Sequence, residues 1–159
     1  MKYSHFEELP VWKDAIQLAV KVFALTSQPA FRRHPGIRNQ IERASLSVSN
    51  NIAEGFERGT TNELLSFLYI SRGSCGETRS VLWLCHHLPA FENLRSEISD
   101  LRSKAESISR QLRAWCESAQ NSDLRGPRYL TDRERRRAKE AQERKEFLKE
   151  LDQIRQDKK

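Results

Sequence analysis

The sequence predicts an all-α protein, an antiparallel up-down-up-down four-helix bundle with an additional charged C-terminal helix. Its 159 residues include only 6 Gly and 5 Pro, too few for the frequent turns of a β-sandwich or β-barrel. Apolar residues recur at helical spacing in four segments of residues 1–120. The connections between these segments are short, so consecutive helices should pack antiparallel.

The first two predicted helices each combine an apolar stripe with a start or end signal. The first begins at Pro10, whose fixed φ suits a first helical turn, and ends near Ser27, before Pro29. The second ends around Gly55 and Gly59. The two stripes comprise Trp12, Ala15, Ile16, Ala19, Val22 and Phe23, then Ile37, Ile41, Ala44, Val48, Asn51, Ile52 and Phe56.

The third predicted helix begins with a capping box, Thr60 to Glu63, and ends before Pro89. The Thr60 hydroxyl should accept a hydrogen bond from the Glu63 amide, and the Glu63 side chain should reach back to the Thr60 N–H. Small residues fill positions 71–76, where Gly73 and Gly76 should each cost about 1 kcal/mol relative to alanine. Close approach of another helix backbone would offset that cost, and a kink or a ligand pocket is the alternative.

The fourth predicted helix carries a heptad seam, in which apolar residues are separated alternately by 4 and 3 positions. The seam comprises Leu94, Ile98, Leu101, Ala105, Ile108, Leu112, Trp115 and Ala119. A seam of this kind requires a neighbouring helix that crosses at about 20°, as in four-helix bundles.

A change in composition separates the bundle from the rest of the chain. Polar residues, Gly126 and Pro127 mark a boundary within residues 121–127. We therefore predict a four-helix bundle over residues 1–120, a linker over residues 121–130 and a charged helical extension over residues 131–159. The charged first half of the extension is typical of a solvated helix, and the alternative is an arm that docks on nucleic acid or on a partner.

The net charge is positive and unevenly distributed. Lys and Arg number 28 against 22 Asp and Glu, which gives +6, and the pI is near 9.5. Residues 121–159 hold 13 of the basic and 9 of the acidic residues, or +4 of that total. No apolar stretch approaches the roughly 18 residues that span a bilayer, and the amino terminus lacks an apolar signal-peptide core. We expect a soluble, cytoplasmic protein with no membrane partner.

Patterns typical of catalysis or metal binding are missing from the sequence. No GxSxG, HExxH, Glu-x-x-His or glycine-rich phosphate loop occurs. The adjacent His86 and His87 point about 100° apart on a helix, so we expect them to contact helix-terminal carbonyls instead of sharing a metal. Cys75, Cys85 and Cys116 should be reduced, structural thiols. We predict a non-enzymatic protein with no catalytic residue, cofactor or metal.

Residues 45–58 form the most unusual segment, because Ser and Asn are mediocre helix formers that accumulate late in a helix. A buried Asn51 or Glu54 would require polar partners. Charge-assisted hydrogen bonds could come from Arg43, Arg58, Arg72 or Arg79. One interpretation is a polar network that fixes helix register and oligomer state, and the other is a ligand or nucleic-acid site.

Several of these segments together resemble the 23S rRNA intervening-sequence family of four-helix bundle proteins. The matching segments are residues 6–15 (FEELPVWKDA), 40–44 (QIERA), 47–55 (SVSNNIAEG) and 72–74 (RGS), with Glu63, Phe67, Leu68 and Glu77. The order and spacing match over residues 5–118. The residues that carry the family signature are Asn50, Asn51, Ile52, Ala53, Glu54, Gly55, Gly73, Ser74 and Glu77.

The resemblance implies a four-helix subunit that assembles as a ring-like homopentamer. It also implies kinship with the accessory variability determinant of diversity-generating retroelements, a basic pentameric barrel that binds nucleic acid and a reverse transcriptase. Five copies of a +6 chain would carry roughly +30, enough for salt-sensitive phosphate binding.

The leading functional hypothesis is a non-enzymatic, oligomeric accessory protein that binds structured RNA, or a reverse transcriptase complex, through phosphate contacts with RNA or DNA. The candidate nucleic-acid-binding residues are Arg32, Arg33, Arg38, Arg43, Arg133, Arg135, Arg136 and Arg137. The alternative is a protein–protein scaffold without nucleic-acid binding, docking through an apolar helix face. That face comprises Phe147, Leu148, Leu151 and Ile154.

Overall fold

The computed structural model describes residues 3–121, together with Glu140 and Arg144, which are helical and exposed. The chain divides into two units, residues 1–126 and 127–159. The helices of the first unit are α1 (Pro10–Thr26), α2 (Pro29–Arg32), α3 (Pro35–Glu57), α4 (Thr61–His87) and α5 (Arg95–Gln120). Two 3₁₀ turns, Phe6–Glu8 and Pro89–Leu94, precede α1 and α5. The described residues contain no strand, which agrees with the predicted all-α class. Apart from Glu140 and Arg144, the predicted charged extension lies outside the described residues, as does nearly all of the linker.

Helices α1 and α4 begin where the sequence signals predicted. Pro10 is the first residue of α1 and Pro35 the first of α3, both positions where a missing N–H costs nothing. At the start of α4 the Thr60 hydroxyl accepts a hydrogen bond from the Glu63 amide at 3.3 Å. The Glu63 carboxylate accepts a hydrogen bond from that same hydroxyl at 2.8 Å. The predicted capping box assigned it the Thr60 backbone N–H instead. At its end, α3 runs through Gly55 to Glu57.

The four long helices share one apolar core. α1 and α4 each pack against α3 and α5. The fully buried side chains include Leu18, Ile41, Ile52, Leu64, Leu68, Leu82, Ile98, Ile108 and Leu112. Between α1 and α5, the Gln111 amide donates to Asp14 at 2.9 Å and Lys104 donates to it at 3.1 Å. The Gln111 bond, opposed by desolvation and joined by Lys104, holds the pKa of Asp14 below its ordinary value.

The short helix α2 is an element that the sequence analysis did not predict. Its Phe31 is fully buried, and the ring lies 4.5 Å from that of Phe91 in the turn before α5. The ring of His34 also lies 5.2 Å from Phe91. These aromatic contacts bring the connection between α1 and α3 against the connection between α4 and α5.

The heptad seam is confirmed along α5, and at its ends it packs less deeply than in the middle. Ile98, Leu101, Ala105, Ile108 and Leu112 are buried, whereas the predicted Leu94, Trp115 and Ala119 are only partly buried. Leu94 and Trp115 still pack against the core, and Cys116, next to Trp115, is buried. An α-helix has 3.6 residues per turn, so a strict 3.5-residue seam drifts by about 20° per heptad and leaves the core by one residue after several turns.

The small residues of α4 have two different environments. The Ser71 hydroxyl donates to the Val48 carbonyl of α3 at 2.8 Å, which confirms a close helix–helix approach at that position. A Cβ added at Gly73 or Gly76 would meet no atom of residues 3–121 within 4 Å. The prediction of close approach is therefore wrong for these two glycines within the chain, and they lie on an open face of α4.

The three cysteines are free and buried, as predicted. Burial raises the pKa of Cys75 to about 12 and that of Cys85 to about 11. Both thiols therefore stay protonated at neutral pH. None of the helices within residues 3–121 combines the length and the apolar character that crossing a membrane requires.

Candidate nucleic-acid interface

A polar groove of about 380 Å³ runs along α3 and is bordered by α4. It contains much of the unusual Ser and Asn segment. Its lining residues include Gln40, Arg43, Ser47, Asn50, Asn51, Glu54 and Glu77. We refer to it as the polar groove.

Hydrogen bonds at the base of the polar groove connect α3 to α4. The Asn51 amide donates to the Ser47 carbonyl at 2.7 Å and to the Ser47 hydroxyl at 2.9 Å. The Ser47 and Ser74 hydroxyls lie 3.0 Å apart across the two helices. Gln40 donates to the Glu77 carboxylate further along the same pair. These bonds confirm a polar network between helices, which satisfies groups that would otherwise be costly in a partly buried position.

Glu54 has a different environment from the one expected. Its side chain is 50% exposed, and Arg58 donates to its carboxylate at 2.6 Å, one turn further along the chain. Glu54 is therefore not a buried charge, and it does not need a buried cation to compensate it. Arg58 also lies 3.9 Å from the Glu63 carboxylate and 5.2 Å from the centre of the Phe67 ring, so it covers the connection between α3 and α4.

Gly55 is the signature residue with the clearest packing role. A Cβ at this position would lie 2.7 Å from the Phe67 Cβ and 3.3 Å from the Leu64 carbonyl oxygen. Only glycine lets α3 and α4 approach this closely. Ile52, one turn before it, is fully buried, and Ala53 is partly buried.

The signature therefore divides between packing and exposed positions. Ile52, Gly55 and Ser74 lie in or beside the interface between α3 and α4. Asn50 and Gly73 are exposed, Asn50 within the polar groove and Gly73 on the open face of α4.

The structure describes four of the eight predicted arginines, and all four are exposed. Arg32 and Arg33 lie at the end of α2, and Arg38 and Arg43 lie on α3. Arg38 donates to Glu42 at 2.8 Å, whereas Arg32, Arg33 and Arg43 form no ion pair with any residue of the described range 3–121. Arg43 lines the polar groove. The remaining four, Arg133, Arg135, Arg136 and Arg137, lie outside the described residues.

An aromatic and cationic cluster at the end of α4 was missed by the sequence analysis. We call Trp83, His86, His87, Arg95 and Arg102 the Trp83 cluster. The Arg102 guanidinium lies 3.5 Å from the centre of the Trp83 ring, which remains 48% exposed. The only sequence signal was the position of the tryptophan, one residue beyond Leu82 and off the apolar stripe.

The two histidine rings of the Trp83 cluster lie beside the indole, with ring centres 5.5 Å from it for His86, which is tilted, and 4.8 Å for His87, which meets it edge to face. His87 Nδ1 donates to the Trp83 carbonyl at 2.9 Å, which confirms the predicted carbonyl contact for that residue. Desolvation and the nearby charges of His87, Arg102 and Arg95 lower the pKa of His86. In the described ranges, no three His, Cys, Asp or Glu side chains are grouped where a metal ion could be held.

A family model described as "23S rRNA-intervening sequence protein" matches residues 7–114. The chain belongs to this family. The match extends from the turn before α1 into the last quarter of α5, and it includes every signature residue and the four described arginines. No curated protein matches the sequence.

A solved structure supports the helical fold. It is a protein of unknown function from the S23 ribosomal protein family of Bacteroides thetaiotaomicron. The TM-score is 0.61 at 18% sequence identity, and the alignment covers 67% of this chain and 98% of that chain. At this identity the likeness establishes the shared helical fold and leaves the function open.

Proposed function

We propose that this protein is a cytoplasmic, non-enzymatic accessory protein that assembles into an oligomer and binds structured RNA, alone or in complex with a reverse transcriptase. The observation that carries the proposal is the exposed arginine surface, which we define as Arg32, Arg33, Arg38 and Arg43. Guanidinium groups present planar donors that match phosphate geometry. Three of these four lack an ion pair in the described range, so binding a phosphate would break no existing pair.

The proposed subunit is an up-down-up-down bundle of α1, α3, α4 and α5. Cross-helix contacts support antiparallel neighbours, because residues early in one helix contact residues late in the next. Ser47 contacts Ser74 while Gly55 approaches Phe67. Similarly, Arg79 lies 3.7 Å from Glu106, whereas Tyr69 accepts a hydrogen bond from Gln120.

The salt dependence of RNA binding should decrease when the unpaired arginines are neutralised. Each phosphate contact contributes a slope of about −0.9 to log affinity against log salt. Replacing Arg32, Arg33 and Arg43 with glutamine should therefore flatten the slope by up to about 2–3 and weaken binding at every salt concentration. The measurement is a titration of a structured RNA hairpin by fluorescence anisotropy over a salt series.

The matched control for that titration replaces three ion-paired arginines, Arg79, Arg110 and Arg113, with glutamine. It removes the same net charge from α4 and α5. A local phosphate site predicts a smaller change in slope for the control. Equal changes would indicate that only net charge matters, and no binding by the unmodified protein at low salt would reject the RNA-binding function.

Assembly into an oligomer is supported by the open face of α4, where Ile70 is 51% exposed and the two glycines leave room for close approach. Light scattering of the full chain should report a mass of about five chains. Ile70→Asp should reduce that mass, because it places a charge in the proposed contact. The control, Val20→Asp, changes a valine that is 63% exposed on α1. A mass unaffected by Ile70→Asp would exclude this face as the contact.

The second candidate function is a protein scaffold. The exposed apolar side chains of α4, which include Tyr69, Ile70 and Leu84, favour it because such residues commonly mark protein contacts. A chain that assembles normally but retains no RNA at low salt would support the scaffold over the RNA-binding function.

A further inference from the structure

The Trp83 cluster is a surface feature that the packing of the subunit leaves unexplained. Tryptophan is the largest apolar side chain, and leaving half of it in water forfeits burial energy. Trp83 nevertheless stays 48% exposed although Arg102 and two histidines contact its ring. The adjacent Leu82, by contrast, is fully buried in the core.

The side chains around the indole are those that single-stranded nucleic acid binds. An aromatic face accepts a stacked base of any identity, and guanidinium groups beside it contact the neighbouring phosphates. Arg102 already lies against the ring, and in the described range it forms no ion pair. Arg95 donates to the His86 carbonyl at 3.3 Å and is 3.4 Å from Glu92, and it is the second cation of the cluster.

The Trp83 cluster and the arginine surface adjoin the same end of the bundle. Arg32 and Arg33 follow Phe31, whose ring contacts Phe91 in the turn that leads from α4 to Arg95. A nucleic acid bound by the arginines at the end of α2 could therefore extend past this aromatic contact to the Trp83 cluster. This continuity and the positive charge of both sites favour a polyanionic occupant over an apolar protein segment.

We infer that Trp83 stacks on an unpaired base of the bound RNA while Arg95 and Arg102 contact the phosphates next to it. This inference rests on the proposed function, and it specifies that unpaired segments, not the duplex, are bound at this site. Duplex regions offer phosphates to the arginine surface, but their bases are already stacked on each other. The two sites together would recognise a junction between paired and unpaired RNA.

The test compares two probes with the full-length chain, an unstructured RNA of roughly 12 nucleotides and a duplex of the same length. Trp83→Leu, which keeps an apolar contact and removes the aromatic face, should weaken binding of the unstructured RNA by about 5- to 150-fold and leave duplex binding unchanged. Trp83→Phe should recover much of the loss. Arg102→Gln should weaken binding of the unstructured RNA and reduce the salt dependence of that binding.

The matched control is Phe23→Leu, at an aromatic that is 42% exposed on α1 and therefore outside the proposed α4 contact. It should bind both probes like the unmodified protein, and light scattering should show that every variant keeps its assembly. If Trp83→Leu binds both probes as tightly as the unmodified protein does, the stacking site is overturned and the proposed function is left intact. Tight binding by Trp83→Leu but not by Trp83→Phe would also overturn it. Failure of the unmodified protein to bind either probe at low salt would reject both proposals.

Discussion

Replacing Leu112 with alanine should lower the free energy of unfolding by about 2–5 kcal/mol, the range measured for emptying buried leucine sites. Leu112 is fully buried on α5, in line with Ile108. The cost has two parts, the lost transfer energy of the removed atoms and the cavity that the surrounding helices fill only partly. Urea unfolding followed by helical circular dichroism should show a lower midpoint with an unchanged m-value.

The matched control for Leu112→Ala is Leu46→Ala. Leu46 is 41% exposed on α3, so its truncation should change the free energy of unfolding by no more than about 0.5 kcal/mol. Similar losses for the two variants would contradict the assignment of the core face of α5.

The helices and most of the core follow from local rules, which is why the sequence predicts them. Burial of an apolar stripe repeats with the helical period, so positions such as Ile41, Val48 and Ile52 are identified without knowing their neighbours. The depth of burial at the end of α5 was not predicted, because drift accumulated over several turns buries Cys116 and leaves Trp115 only partly buried against the core. That drift depends on the real geometry of the helix.

Contacts between distant segments account for the elements that the sequence did not predict. α2 is one turn long, too short to be stable alone, and its Phe31 is buried against Phe91, some sixty positions later in the chain. The same reason applies to the Trp83 cluster, since the cation on the indole is supplied by Arg102 from the next helix. Residue type alone would predict that a tryptophan is buried. Whether it is in fact exposed depends on which other segments pack over it.

The polar segment of α3 was predicted to need polar partners, and arginines were suggested for them. Arg58 is indeed the partner of Glu54, but the partners of Asn51 are different. Arginines were expected to satisfy Asn51, whereas its amide donates within its own helix to Ser47, and Ser47 contacts Ser74 of α4. Small hydroxyl groups can form the hydrogen bonds between α3 and α4 because the two helices are close together at this position. Gly55 contributes to that closeness near the connection between the two helices.

Replacing Gly55 with alanine should destabilise the fold by about 2 kcal/mol, although alanine is the better helix former by about 1 kcal/mol. The added methyl group would lie 2.7 Å from the Phe67 Cβ. A Cβ is fixed to its helix and cannot rotate away, so α4 itself would have to move. The shift would loosen the packing of Phe56 and Leu64, both almost fully buried nearby. The measurement is the free energy of unfolding in urea.

Gly73→Ala is the matched substitution, with the opposite expected sign. Within the described part of the chain nothing lies within 4 Å of the added methyl group, so the gain in helix propensity should stabilise the single chain by about 0.5–1 kcal/mol. A copy packed closely against α4 would meet that methyl group, so the variant should also show a lower assembled mass at a given concentration. Stabilisation by Gly55→Ala would contradict the close approach of α3 and α4. Destabilisation by Gly73→Ala at concentrations where the protein is monomeric would contradict the open face of α4.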